Sequence, residues 1–453
     1  MCQFTTTYVF KDRRQYGPEP PELPSRDEPA VATEKGRICS KLKLVVAFEL
    51  THRAEFLPEA DEPFFASLPA TAAVFVLRPL DESAEPYVTK TSNLRRRMQR
   101  LLSAPDGISK RLNLRDRVRF LEYQPVGSDF EGGFLLYCVY RREFPKKYQE
   151  RLRLRSAPLI KLILDNEYPR VIVTSKIGSI RGKNKYYGPF PTRAAAEEFA
   201  NDSLDFFLIR RCTDDLHPDP KFPGCVYSEM KMCMAPCFKG CTDDEYSKEV
   251  SKVENFLTSG GQSLVHEISR ARDEASEKLE FEAAAAAHTR LEKLKAVRQH
   301  LPEIVRPIDQ LRAVMVQPCS DPECVTLFKI EQGMLSSPIK MPIASQQTIG
   351  EVKTPMSMEM RIVETLKGVP DPEPKSAQEW MEHLAILKRW YYRTTKIGEI
   401  FLADEKGDLP MRRIVRGVSR VFKGEKPQGD LSETAGEYWR FRFGEFQHKD
   451  ETE

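Results

Sequence analysis

Five of the ten cysteines, Cys212, Cys225, Cys233, Cys237 and Cys241, fall within thirty residues, while Cys2, Cys39, Cys138, Cys319 and Cys324 are scattered. In a chain without a secretory signature, clustered thiols suit a metal or redox centre before they suit disulfides. Twelve, seven and three residues separate the first four. Soft thiolates at such intervals suit either an iron-sulfur cluster or a tetrahedral zinc ion, and spacing alone does not choose between them. Pro223, Pro236 and the loop Asp214 to Pro220 would hold the ligands rigidly and leave backbone N–H groups free to face a cluster. Cys241 is a fifth thiol able to replace one of the four.

A second group of residues suits phosphate. Lys90, Asn93, Arg95, Arg96 and Arg97 lie within eight positions, and Lys90 to Lys185 holds 23 Lys/Arg against 9 Asp/Glu, a net of +14 in a chain whose net charge is only +3. A basic segment between two mildly acidic ones focuses positive potential on one part of the molecule and favours a polyanion such as DNA. The stretch Lys110 to Arg119 extends that surface. No window of 18 apolar residues appears and Met1 to Tyr16 lacks a basic-then-apolar signal, so a membrane span and secretion are excluded and a cytoplasmic protein is expected.

The elements that must position these groups are legible from periodicity. At 453 residues the chain suits two to four compact units at roughly 150 residues each. Gly17 to Pro29 is Pro/Glu-rich, and Leu42 to Leu50 is the one strand expected in a loosely structured N-terminal extension over 1–67. Ala72 to Pro79 and the run around Tyr87 read as a hairpin. Asn93 N-caps a helix with Leu94, Met98, Leu101 and Leu102 on one stripe. Val118 to Tyr123 and Arg170 to Thr174 are strand-like, and Ser128 to Arg142 between them is helical. Thr192 caps a helix whose core face is Ala195, Phe199, Leu204, Phe207 and Leu208. Ser263 to Leu301 gives a helical hairpin, with Leu264, Ile268, Ala271, Ala275 and Leu279 facing Ala284, Ala287, Leu291, Leu294 and Val297. Arg312 to Pro342 alternates as strands. Ser376 to Glu379 is a capping box before Trp380, Leu384, Leu387 and Tyr391.

Three separated features resemble one family in order: the UvrC family of the excinuclease ABC system, which serves bacterial nucleotide excision repair. Leu68-Pro69, Ala73-Val74-Phe75, Tyr87-Val88-Thr89-Lys90 and Asn93-Leu94-Arg95-Arg96-Arg97 resemble its GIY-YIG nuclease domain. Tyr186-Tyr187-Gly188-Pro189-Phe190 and the cysteines Cys212, Cys225, Cys233 and Cys237 are similar to its four-cysteine region. Leu279-Glu280-Phe281-Glu282 with the alanine run looks like the UVR motif. An α/β multidomain protein is expected: the resemblance, over about Leu68 to Leu301, implies a small GIY-YIG-like mixed α/β domain at 68–175, a Cys-rich helical region at 186–262 and a UVR helical hairpin at 263–302, and the sequence pattern adds the extension 1–67, a β-rich segment at 310–345, and a C-terminal helical segment and tail at 376–453 for which the family has no counterpart. The resemblance also implies an iron-sulfur cluster, of the four-iron, four-sulfur type, on the four cysteines, with zinc the alternative. DNA is one implied partner, and a UvrB-like helicase subunit reached through Glu280, Phe281 and Glu282 is another.

The nuclease chemistry departs from that pattern. Cutting a phosphodiester this way needs a base for water, an arginine for the phosphate and a carboxylate for a divalent metal. The first motif tyrosine is Phe75, Leu136 stands where the metal-holding glutamate belongs, and Gln149 after Tyr148 matches the late asparagine. Tyr87 and Arg97 are the remnant catalytic residues. Glu131 lies on another face of its helix. The RNase H-like nuclease and helix-hairpin-helix modules have no match in this sequence. A non-cleaving repair protein is therefore expected. The alternatives are an active Mg- or Mn-dependent endonuclease using other ligands, and an iron-sulfur or redox-responsive interaction protein with no DNA role.

Overall fold

The structure, a computed structural model, describes residues 50–105, 112–213, 216–344, 347–349, 352–354 and 356–425. It is a multidomain α/β arrangement built on three antiparallel sheets. The strand expected at Leu42 to Leu50 lies outside the described residues except for Leu50. So do Lys110, Arg111 and the tail Ser432 to Glu453. Among the described residues no helix is long and apolar enough to cross a membrane.

The first sheet, in the order β1-β4-β2-β3, joins β1 (His52–Glu55), β2 (Ala73–Pro79), β3 (Tyr87–Thr91) and β4 (Val118–Pro125). It is buried on both faces, so β2 reads as a continuous apolar run rather than an alternating one. Phe75 and Leu77 point to one core with Phe56, Phe64 and Met98, while Val74 and Val76 point to another with Leu135 and Val139. The first core takes α1 (Asp61–Ser67) and α2 (Leu94–Leu102), and the second takes α3 (Asp129–Glu143). Residues 52–67, expected in a loose extension, are thus part of this unit. The pairing of β1 with β4 and the burial of Phe56, Phe64 and Phe65 in the first core bring them in, and the exposed pattern of β1 gives the pairing no local signal.

After the short α4 (Tyr148–Leu152) come β5 (Leu159–Ile163) and β6 (Arg170–Thr174), which pair with each other, and β5 pairs on its other side with β7 (Lys185–Gly188). They belong to a second sheet, not to the domain that the sequence closes at 175; strand periodicity does not name a strand's partner. This sheet is covered by α5 (Arg193–Leu204), and the chain then runs through the thiol region with its one-turn α6 (Val226–Glu229). Three helices follow, α7 (Asp243–Thr258), α8 (Gln262–Glu277) and α9 (Phe281–Gln299), before β8 (Arg306–Pro307) closes the sheet beside β7. Leu208 is exposed rather than in the core, because α5 ends at Leu204 and its periodicity ends with it.

The third sheet is centred on β9 (Ala313–Pro318) and β10 (Cys324–Glu331), with β11 (Met334–Leu335) and β12 (Ile339–Pro342) on one side. A separate two-stranded ribbon, β13 (Gln347–Ile349) and β14 (Val352–Thr354), comes next, and β15 (Glu399–Leu402) pairs on the far side of β9. Its helices are α10 (Met358–Lys367), α11 (Ala377–Tyr391) and α12 (Met411–Lys423). Strand alternation divides the work: Ala313 and Met315 face the largest core with α11, whereas Val314 and Val316 face α12. Gly417 permits that second contact, since a Cβ there would fall 2.1 Å from the Phe401 ring.

Candidate functional site

The residues that resemble a nuclease motif meet where β3 runs into α2. Asn93 caps α2 as expected, accepting the Arg96 backbone N–H at 2.9 Å. One helical turn on, the Arg97 guanidinium donates to the Tyr87 hydroxyl at 2.9 Å. Phe75 lies beside them, 6.1 Å from the Tyr87 ring between centroids, and is fully buried. The three arginines diverge. Arg95 turns back to brace the end of α1, donating to the carbonyls of Leu68 at 2.8 Å and Ala66 at 3.2 Å, while Arg96 is exposed on the outer face of the helix. Lys90 forms an ion pair with Asp129, at the first turn of α3. Burial pushes the Asp129 carboxyl up, but Lys90 and then Arg393 outweigh it and hold it below the usual carboxylate range.

Leu136 faces a cavity between α3 and α11. The nearby Tyr148 and Gln149 are occupied: both donate to Glu382 of α11, at 2.8 and 3.3 Å. Glu131 accepts the Gly127 N–H at 2.8 Å and is buried away from Tyr87 and Arg97. Sequence reasoning finds α11 from its cap and its stripe but does not find that Glu382 and Arg393 reach α3, because nothing local marks a contact over more than 200 residues.

The four cysteines are all half-buried. Burial pushes the Cys233 thiol up to about 11, and Cys212, Cys237 and Cys225 each add to it. Burial likewise raises Cys237, with further contributions from Cys225 and Cys212. Cys225 N-caps α6 in a reciprocal box with Ser228. Left-handed turns at Lys231, Ala235 and Lys239 fold the chain tightly around Cys233 and Cys237, and the Ala235 N–H points at the Cys233 sulfur at 3.3 Å. Arg210 donates to the Cys212 sulfur at 3.8 Å. Cys241 is raised by burial and then by Glu245 and Asp243. By donor chemistry these residues fit a thiophilic centre; among the described residues no group of three or more His, Cys, Asp or Glu side chains is arranged to hold a metal ion.

The hairpin α8–α9 packs through Leu264, Ile268, Ala275, Leu291 and Leu294, whereas Ala271 and Leu279 of the expected stripe are exposed. Leu279 sits at the bend with φ 61°, which turns it out of the seam. Leu279 and Phe281 are each 69% exposed, and Glu280 and Glu282 beside them are exposed as well.

Fold and site together define a multidomain α/β chain with a thiol-bearing middle unit between a basic domain and a third sheet. Residues 158–256 match the family described as UvrC/Cho excinuclease, middle domain. The UvrABC system protein C of Idiomarina loihiensis is 30% identical over 233 residues, 49% of this chain and 36% of that protein. The protein of the same name from Methanothermobacter thermautotrophicus is 29% identical over 272 residues, 59% of this chain and 45% of that one. The chain spans between about one third and just under half of the length of these relatives. No solved structure matches it. Through residues 158–256 the chain is similar to the middle domain of the UvrC/Cho family.

Proposed function

We propose that this chain works in nucleotide excision repair as a non-cutting relative of the UvrABC system protein C. It binds DNA through the basic first domain, with Lys90, Arg96 and Arg97 toward the phosphates, and docks a UvrB-like helicase subunit through the tip of the UVR-like hairpin at Glu280, Phe281 and Glu282. The observation that carries this reading is the state of the nuclease-like site. Tyr87 and Arg97 hold each other, Phe75 has no ionisable group, Leu136 supplies no carboxylate to a metal, and α11 ties up Tyr148 and Gln149. A lost metal ligand removes several kcal/mol of transition-state stabilisation. Cys212, Cys225, Cys233 and Cys237 would hold a four-iron, four-sulfur cluster, with zinc the alternative; the centre would supply a rigid, redox-sensitive tie across the thiol loop. One observation supports it: the backbone N–H of Ala235 directed at the Cys233 sulfur.

The test uses the full chain, purified anaerobically. Visible absorbance with iron and zinc analysis identifies the centre. Damaged and undamaged plasmid with Mg or Mn is expected to stay uncut, while duplex binding is expected to weaken steeply with salt. Nicking that Arg97→Ala abolishes would overturn the non-cutting reading.

A further inference from the structure

A cavity of about 170 Å³ lies between α3, α4 and the last turns of α11. Its inner wall is apolar: Phe130, Ile386 and Trp390 are buried, with Leu136 and Leu152 half-buried beside them. The Trp390 ring is fixed by its N–H, which donates to the Ile397 carbonyl at 3.1 Å, and by Phe130 edge-on at 5.9 Å. The open side is cationic. Lys90, Arg151, Arg389 and Arg393 line it against a single carboxylate, Asp129. Lys90 and Arg393 share Asp129, and Arg151 pairs with the exposed Glu85. Arg389 is exposed and makes no ion pair among the described residues.

An apolar slot walled by an aromatic ring, beneath a surplus of guanidinium groups, matches a ligand that is flat at one end and carries an anionic phosphate at the other. Guanidinium forks pair with phosphate oxygens, and rings stack on nucleobases. Size narrows the choice: a dry cavity of about 150 Å³ takes one benzene ring, so this one takes a single six-membered ring and leaves a sugar and phosphate at the opening. We propose that this pocket receives one unstacked pyrimidine nucleotide, its base against Trp390 and Leu136 and its phosphate against Arg389 and Arg393. The nucleotide is either free or part of a strand; the strand source rests on the DNA-binding reading above, and the free source does not.

The full chain is titrated calorimetrically with dTMP, thymidine and deoxyribose 5-phosphate, and by fluorescence anisotropy with a duplex carrying one unpaired thymine and its fully paired counterpart. Two variants accompany it. Arg389→Glu reverses an exposed charge. Gly133→Leu fills the cavity from α3, where a Cβ meets nothing within 4 Å and where leucine improves helix propensity, and circular dichroism and a melting curve check that it is folded. The expected result for a free ligand is dTMP binding at least about tenfold tighter than either fragment, a gain lost in both variants. For a strand ligand, the unpaired-thymine duplex binds tighter than the paired one and both variants erase that difference while keeping paired-duplex affinity. Absence of both preferences, or preferences that survive both variants, overturns the proposal. If the paired duplex fails to bind while dTMP binds, the pocket stands and the DNA reading falls.

Discussion

The two carboxylate oxygens of Glu382 on α11 receive the hydroxyls of Tyr137 on α3 and Tyr148 on α4, each at 2.8 Å. The chain separates these partners by 245 and 234 residues, yet Glu382 is 4% exposed. Gln378 adds an amide N–H at 2.8 Å, and Arg141 bridges Tyr137 at 2.9 Å to Glu379 at 2.6 Å. A buried carboxylate is tolerable only when its lone pairs are filled, as they are here. This knot fastens the basic domain to the C-terminal helix, and with it the face where a nuclease site would lie.

Removing that carboxylate leaves two tyrosine hydroxyls without an acceptor. Glu382→Ala is expected to cost about 2–4 kcal/mol by chemical denaturation, and Glu382→Gln less, since its amide oxygen still accepts one hydroxyl. Adding Tyr137→Phe to Glu382→Ala should cost less than the sum of the single changes. Strict additivity would mean that the two groups act independently.

Arg95 and Arg96 are neighbours with different duties. Because Arg95 braces the α1 carbonyls, Arg95→Ala is expected to lower stability by about 1–2 kcal/mol. Arg96→Ala should leave stability within about 0.5 kcal/mol while lowering the salt dependence of duplex binding by about one unit of log–log slope. Equal effects of the two variants on the salt slope would return Arg95 to the DNA surface.

Local signals carry much of this molecule. Asn93, Thr192 and Ser376 cap helices where the sequence places them, because a cap needs only its own turn. At Ser376 the expected box is shifted by one residue: Glu379 accepts from Lys375, not from Ser376. What a local signal cannot carry is partnership. β6 reads as a strand, yet nothing within it tells that β5, in a second sheet, rather than β4 is its neighbour. Arg95, Arg96 and Arg97 read as one cationic run, yet only the position of α1 and Tyr87 separates brace, surface and site. The helix over 377–391 is legible, but its landing place on α3 is not, since Glu382 and Arg393 report nothing until the domains meet.

Phe281 distinguishes a docking tip from a hairpin core. Its 69% exposure at the first turn of α9 leaves it little to contribute to packing. Phe281→Ala is expected to leave the unfolding free energy within about 0.5 kcal/mol of the parent and to weaken capture of a UvrB-like helicase subunit by about 2 kcal/mol, roughly thirtyfold. A lowered melting temperature with binding retained would place Phe281 in the hairpin's own packing.

Glu131 predicts an inverted pH dependence. It is 1% exposed, beneath a close approach in which a Cβ at Gly127 would fall 2.3 Å from the Pro318 carbonyl oxygen. Burial raises its carboxyl from 4.5 to about 7, against the Gly127 N–H and then Lys340. The native state therefore holds this proton after the unfolded chain has released it, and the associated stability, complete below pH 4.5, is lost as pH rises toward 7. His383 works in the opposite sense: burial lowers it from 6.5 to about 4, so its contribution is present above 6.5 and lost as pH falls through about 4. Between 4.5 and 6.5 the two slopes oppose each other. Glu131→Gln keeps an acceptor for Gly127 and removes only the first slope. The variant should match the parent near pH 4, gain on it through pH 7, and exceed it by about 1–3 kcal/mol at about pH 8. Denaturation at several pH values measures the difference curve, and a flat difference would show that Glu131 is already ionised in the native protein.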